Sequence, residues 1–172
     1  MKRFYLPTEL HHGAGSIDLL RNYLSSEKKV GIVTDPGMIT VGLDKPVTNL
    51  LNDIGVSVII YDGIQPNPRA QSIMEAVNLF AAEKVTSIIA LGGGSSIDAA
   101  KMVALVMGNE GTLDDYLWDG REIENPVIPL YVIPTTSGTG SEVSRIAVIL
   151  DRDAKKGINS DRLFPKAAFL DP

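Results

Sequence analysis

The chain has 172 residues, a net charge of −5, 44% hydrophobic and 22% charged residues, and no cysteine. This composition is typical of an ordinary globular domain, and it excludes disulfides, thiolate-bound metals and a cysteine nucleophile. The acidic balance provides no concentrated basic face, so we expect no nucleic-acid partner.

Residues 1–7 contain no apolar stretch of the kind that a secretory signal requires. No uncharged apolar run approaches the ~20 residues needed to span a bilayer. We therefore expect a cytoplasmic protein with no membrane contact.

Strand and helix patterns alternate along the chain. In order, the predicted strands are residues 30–34, 56–61, 86–91 and 130–133, with further candidates at 146–150 and 167–170. The predicted helices between them are an amphipathic segment ending before Gly55, residues 69–83, and residues 95–107, for which Ser95 or Ser96 is the expected N-cap.

The predicted strands are continuously apolar rather than alternating, which is typical of strands covered on both faces. Strands separated by helices form βαβ units, so we predict a doubly wound, mainly parallel α/β sheet with helices on both faces. Ligands of such sheets bind beyond the carboxyl ends of the strands. The loops with unusual chemistry in this sequence all follow predicted strands.

Three consecutive glycines lead from the strand at 86–91 into a helix, in the segment 92–101 (GGGSSIDAAK). Without Cβ atoms the backbone can approach a ligand closely, and the N–H groups and dipole at a helix start favour a phosphate. The alternative is a tight turn with a serine cap, which needs one glycine rather than three. For Lys101 we expect a structural role, as the partner of Asp98 three residues earlier.

Residues 134–142 (PTTSGTGSE) place many hydroxyl groups and two glycines directly after the strand at 130–133. Hydroxyl groups supply donors and acceptors to a polar ligand without adding charge. The alternative is an ordinary turn that caps a helix at Ser141. The density of hydroxyls at a strand end favours ligand contact.

Asp35 directly follows the first predicted strand. A carboxylate here can accept both hydroxyls of an adenosine ribose and would repel a 2′-phosphate. The alternative is a turn aspartate before Pro36. Together with the two loops at neighbouring strand ends, Asp35 favours NAD over NADP.

The two histidines, His11 and His12, are adjacent, so on an extended chain they point to opposite faces. Such a pair cannot supply a three-histidine metal site. We interpret both as structural or surface groups and assign no metal ligand to this sequence.

Segments 92–101 and 134–142 resemble the two motifs of the iron-containing (group III) alcohol dehydrogenase family, at the spacing usual in that family. Four shorter segments also resemble it: residues 13–15 (GAG), 34–37 (TDPG), 62–68 (DGIQPNP) and 165–172 (PKAAFLDP). The resemblance covers the whole chain.

The resemblance implies a Rossmann-like, NAD(H)-binding N-terminal domain of an enzyme that transfers hydride between NAD and a small alcohol, aldehyde or ketone. By resemblance, Asp35 would contact the adenosine ribose, and Gly93, Gly94 and Ser95 the pyrophosphate. The other implied cofactor residues are Thr135, Thr136 and Thr139 along the cofactor, Ser141 near the nicotinamide, Asp98 at the cleft, and Lys155 or Lys156 at the nicotinamide ribose. Spacing leaves the choice between the two lysines open.

In the family, the aspartate and histidine metal ligands lie on an all-helical domain that would begin just after Pro172. Residues 1–172 are therefore expected to be the dinucleotide-binding domain alone, inactive by itself, with Fe²⁺ or Zn²⁺ belonging to the full-length enzyme. An interface left bare by that domain favours self-association, so we expect a homo-oligomer. Two alternatives are a non-catalytic nucleotide-binding module and a relative of dehydroquinate synthase or glycerol dehydrogenase.

Overall fold

The structure, a computed structural model, describes residues 5–172. The strands in chain order are β1 (Glu9–His12), β2 (Lys29–Val33), β3 (Ser57–Tyr61), β4 (Ser87–Gly92), β5 (Leu130–Pro134), β6 (Ile146–Asp151), β7 (Ala154–Asn159) and β8 (Ala167–Leu170). The α-helices are α1 (Leu20–Leu24), α2 (Pro36–Val41), α3 (Asp44–Asp53), α4 (Ala70–Glu83), α5 (Gly94–Gly108) and α6 (Leu113–Leu117). Short 3₁₀ turns span Ser16–Leu19, Ser141–Val143 and Asp161–Leu163.

Six strands form one sheet in the order β1-β8-β5-β4-β2-β3, and every neighbouring pair in it is parallel. The carboxyl ends of β2, β4 and β5 therefore meet at the same edge. The predicted doubly wound parallel fold is confirmed. β6 and β7 form a separate antiparallel hairpin, so the strand predicted at 146–150 exists but lies outside the main sheet.

The central strand β4 shows why the apolar runs are continuous. Its residues Ile88 and Ala90 join the core beneath α4 and α5, while Ile89 and Leu91 join the core beneath α1 and α3. Each face of the sheet is thus covered by helices, as the sequence pattern predicts.

Several helices and strands were not predicted, although the sequence contains a recognisable start signal for one of them. Helix α2 begins at Pro36, directly after Asp35, and this Asp-Pro pair is a typical helix start that we interpreted as a turn. The edge strand β1, the short α6 and the second hairpin strand β7 have too few apolar residues to stand out by periodicity.

None of the helices in residues 5–172 is long and apolar enough to cross a membrane. The stretch assessed for a secretory signal includes residues 1–4, which lie outside the described residues.

Candidate functional site

The loops that follow β2, β4 and β5, together with residues 64–66 after β3, line a cavity of about 590 Å³, called here the glycine-loop cavity. Its walls include side chains and backbone from all three loops: Asp35, Gly93, Gly94, Ser95, Thr135 and Thr136. Six of the sequence-predicted site residues are therefore neighbours in the fold.

The two oxygens of the Asp35 carboxylate have different surroundings. Oδ1 accepts hydrogen bonds from the backbone N–H groups of Gly37 (2.9 Å) and Met38 (3.3 Å) and so caps α2. Oδ2 faces the glycine loop, since a Cβ built on Gly92 would lie 3.2 Å from it. The turn-aspartate alternative thus describes one oxygen, and the other oxygen lies beside Gly92 at the start of the glycine loop.

Helix α5 begins one residue earlier than predicted, at Gly94, and the expected serine N-cap is wrong. Gly93 holds the N-cap position in an extended conformation, and Gly92 has a φ of 138°, which only glycine adopts readily. Because the cap residue has no side chain, no side-chain hydrogen bond caps this helix end. The first-turn N–H groups are left for another acceptor, and the helix dipole favours an anionic one.

The loop of residues 135–140, called here the hydroxyl loop, lies directly against these glycines. A Cβ built on Gly93 would come within 3.1 Å of Thr136 Oγ1, and one on Gly94 within 3.0 Å of Thr139 Cγ2 and 3.3 Å of Ser141 Oγ. A side chain at either glycine would therefore crowd the loop and require it to move. This close approach explains why the sequence uses consecutive glycines rather than one.

Ser141 does not cap a helix, in contrast to the alternative interpretation of its loop. It is the first residue of the 3₁₀ turn Ser141–Val143, whose N-cap is Gly140 with a φ of 65°. Its side chain is buried and close to the position that a Gly94 side chain would take.

A smaller cavity of about 260 Å³, called here the hairpin cavity, lies between α5 and the β6–β7 hairpin. It brings together Asp98, Thr139, Ser141 and Lys155 with Gly94 and Ser95. The structure separates the two candidate lysines, because successive side chains of a strand point to opposite faces. Lys155 lines the cavity, while Lys156 lies over the Trp118 ring, with its Nζ 3.9 Å from the ring centroid.

Asp98 links the cavity to the hairpin. Its Oδ2 accepts the backbone N–H of Val148 at 3.0 Å, and its Oδ1 is buried without a hydrogen-bond partner among residues 5–172. Burial raises the pKa of Asp98, and the Val148 N–H, the Lys101 ammonium and the nearby Ser141 hydroxyl oppose that shift.

Lys101 has the structural role that we expected, but its partners differ from the expected one. Its side chain is fully buried, and Nζ donates to the carbonyl oxygens of Ser144 and Ile146, each at 2.8 Å, rather than pairing with Asp98. Burial lowers the pKa of Lys101 to about 8, against the opposing influence of Asp98 and Glu142.

The histidines take structural and surface positions. His11 stacks on Phe169 with ring centroids 5.1 Å apart, and its Nε2 lies 2.7 Å from the Tyr23 hydroxyl, whereas His12 is exposed. Within residues 5–172, no three His, Asp or Glu side chains are grouped so that they could hold a metal ion. The residues described here do not fit the metal that the family resemblance implies.

Two features of the site were missed from the sequence. Asn67 lines the hairpin cavity and has a positive φ of 54°, and its position between two prolines was the available signal. A third cavity of about 680 Å³ lies on the other side of the hydroxyl loop, where Leu43, Pro46 and Val47 of the α3 region meet Ser137 and Gly138. The motifs at 134–142 and 165–172 supply part of its wall, but the cavity itself was not predicted because its walls come from five separate stretches of the chain.

The fold and these loops define a Rossmann-like α/β domain with an open helix start at its carboxyl edge. The family model described as iron-containing alcohol dehydrogenase matches residues 7–172. The chain belongs to the iron-containing alcohol dehydrogenase family.

Individual relatives agree with this assignment. The chain is 37% identical over 161 residues to a choline dehydrogenase of Bacillus subtilis, covering 91% of this chain and 40% of the relative. It is 35% identical over 176 residues to an NAD-dependent methanol dehydrogenase of Bacillus methanolicus, covering 100% and 46%. A solved structure of NADH-dependent butanol dehydrogenase A from Thermotoga maritima superposes with a TM-score of 0.92 at 30% identity, covering 100% of this chain and 44% of that one. The chain thus spans less than half the length of these relatives.

Proposed function

We propose that this chain is the NAD(H)-binding part of an alcohol dehydrogenase and that the dinucleotide lies across the carboxyl ends of β2, β4 and β5. One observation carries this proposal. The start of α5 has no side-chain cap, and the hydroxyl loop approaches Gly93 and Gly94 so closely that a Cβ at either would displace Thr136 or Thr139. Such a backbone surface suits a pyrophosphate, which would accept hydrogen bonds from the Gly94 and Ser95 N–H groups.

The adenosine half of the cofactor would lie near Asp35. Oδ2 of Asp35 is not used in capping α2 and can accept ribose hydroxyls, whereas a 2′-phosphate would meet a like charge. NAD is therefore the proposed cofactor rather than NADP. The names of two relatives, an NAD-dependent methanol dehydrogenase and an NADH-dependent butanol dehydrogenase, support this choice.

The nicotinamide half would enter the hairpin cavity. Asp98 lines this cavity, Ser141 and Thr139 offer hydroxyls, and the Lys155 ammonium can reach a ribose hydroxyl or a phosphate. These groups would bind and orient the ring rather than react with it. When bound, the nicotinamide supplies the hydride acceptor or donor at its C4 atom.

The substrate class follows from the family. The relatives named for choline, methanol and butanol all act on alcohols by their names. We propose that the protein containing this domain oxidises a small alcohol or reduces the corresponding aldehyde or ketone.

Calorimetric titration of the chain with NADH tests the proposal directly. We expect NADH to saturate one site per chain. ADP should compete with NADH for this site, since ADP retains the pyrophosphate and the adenosine ribose. A chain that is folded by circular dichroism but shows no saturable heat with either nucleotide would contradict the proposed site.

A further inference from the structure

The β6–β7 hairpin packs Ala147, Ile149 and Ile158 into the hydrophobic core, and one edge of β6 makes further hydrogen bonds to the rest of the domain. The groups on that edge belong to every second residue of β6, facing away from β7. The Ile146 carbonyl accepts from Lys101 Nζ at 2.8 Å, the Val148 N–H donates to Asp98 Oδ2 at 3.0 Å, and the Leu150 N–H donates to the Pro68 carbonyl at 2.8 Å. Two side chains of α5 and one loop carbonyl therefore occupy the place of a neighbouring strand.

This attachment matters because a two-stranded hairpin is only marginally stable by itself. Lys101 also donates to the Ser144 carbonyl at 2.8 Å and lies 3.2 Å from Ser144 Oγ, so its three ammonium hydrogens have acceptors where the hairpin begins. Asp98 and Lys101 are three residues apart and so project from the same face of α5. Together they fix both the start of β6 and its middle.

Stability alone does not account for a lysine at this position. Burying a charged group is costly, and replacing buried charges with apolar groups of similar volume is often neutral or stabilising. Lys101 is fully buried, and it lies on α5, the helix whose first residues line the glycine-loop cavity. What its ammonium provides is a fixed distance between α5 and the backbone of residues 144–146.

The hairpin carries a candidate binding group. Lys155 stands opposite Leu150 in the β6–β7 register and reaches the cavity that also contains Ser95 and Asp98. Any shift of β6 relative to α5 would move Lys155 relative to the start of that helix. The bonds that Lys101 makes therefore contribute to the position of Lys155, together with the core packing of β6 and β7.

We propose that Lys101 is a positioning residue, which holds the hairpin against α5 and thereby sets Lys155 against the nicotinamide-ribose half of the bound dinucleotide. This inference rests on the proposed function. Loss of Lys101 should weaken binding of the nicotinamide-ribose half only. The bonds of Lys101 run to residues 144 and 146, and none of them reaches the Asp35 and Gly93 side of the site.

The test compares Lys101→Met with Lys155→Met and with the double variant, using dissociation constants for NADH and ADP from calorimetry. Lys101→Met should weaken NADH about tenfold and change ADP less than about twofold. Because Lys101 acts through Lys155, adding Lys101→Met to Lys155→Met should weaken NADH by less than about twofold more. Lys29→Met is the matched control, since it removes a 2.7 Å ion pair with Glu83 far from both cavities and should leave both constants unchanged.

Hydrogen exchange of residues 146–159 gives a second readout, and we expect faster exchange in Lys101→Met but not in Lys29→Met. If Lys101→Met does not fold, Lys101→Gln, which keeps two donor hydrogens, is measured in the same cycle. Equal losses for NADH and ADP, or full additivity with Lys155→Met, would overturn the positioning role alone. An unaltered, folded chain that binds neither nucleotide would overturn the proposed function and this inference with it.

Discussion

Substitution of Gly94 by alanine tests the glycine loop without disturbing the fold. The new Cβ would lie 3.0 Å from Thr139 Cγ2 and 3.3 Å from Ser141 Oγ, closer than ordinary carbon contacts of 3.5–4.0 Å. Gly94 does not have a positive φ, so alanine adds no backbone strain, and within a helix it is favoured over glycine by up to about 1 kcal/mol. The hydroxyl loop must therefore move, while the helix itself is not weakened.

Overpacking of this kind costs about 1–3 kcal/mol. If that cost falls on the bound state, NADH affinity decreases about five- to 150-fold, since 1.4 kcal/mol corresponds to a factor of ten. Gly94→Val should be worse, because its branches also enter the space that the phosphates need. Calorimetry gives the affinity and thermal unfolding gives the stability.

Gly157→Ala is the matched control for Gly94→Ala. A Cβ there would have its nearest neighbours at 3.4 Å, and Gly157 lines none of the three cavities. We expect normal NADH binding from this variant. Unchanged NADH affinity in Gly94→Ala, with Thr139 and Ser141 displaced or not, would refute the assignment of the pyrophosphate to this loop.

Three further predictions use the same measurements. Asp35→Ser keeps an oxygen to cap α2 but removes the charge, so the preference for NADH over NADPH should fall at least about tenfold; an unchanged ratio would remove Asp35 from the site. Burial lowers the pKa of Lys101 from 10.5 to about 8, so between these pH values the unfolded chain binds more protons than the folded chain. The free energy of unfolding in urea should therefore rise by about 1–2 kcal/mol from pH 8 to 9.5, and Lys101→Met should abolish this rise. Gly31→Ala should destabilise the fold by about 1–3 kcal/mol, since its Cβ would meet the Phe80 ring at 2.7 Å; urea unfolding with no shift in midpoint would contradict this.

The titration of tyrosines sets the upper limit of the pH range in which the effect of Lys101 on stability can be measured. Burial and Glu9 raise the pKa of Tyr23 to about 12, and burial and Glu75 do the same for Tyr61. Above pH 10 the unfolded chain loses these phenolic protons first, so the tyrosines decrease stability as pH rises from 10 to 12. Measurements between pH 8 and 9.5 therefore report Lys101 with little opposing contribution from the tyrosines.

Local sequence signals were sufficient for the sheet and for the grouping of the loops. Residues 30–33, 88–91 and 130–133 are apolar at every position because both faces of their strands are buried. Once those strands are parallel, their carboxyl ends must lie at one edge, and the three loops become neighbours. The start of α5 was misplaced because serine is the commoner cap, and only the fold shows that the hydroxyl loop lies against Gly93.

The partners of Lys101 could not be predicted, and the reason is the distance in sequence between the groups that it joins. Its two nearest acceptors lie 43 and 45 residues further along the chain, and both are backbone carbonyls, which every residue has. No residue type at 144 or 146 marks them as partners of a lysine. The hairpin that supplies them has alternating buried and exposed residues that fit any edge strand. A local motif therefore identifies residues that line a candidate site within one stretch of sequence, whereas residues that position a distant backbone segment become visible only when the chain is folded.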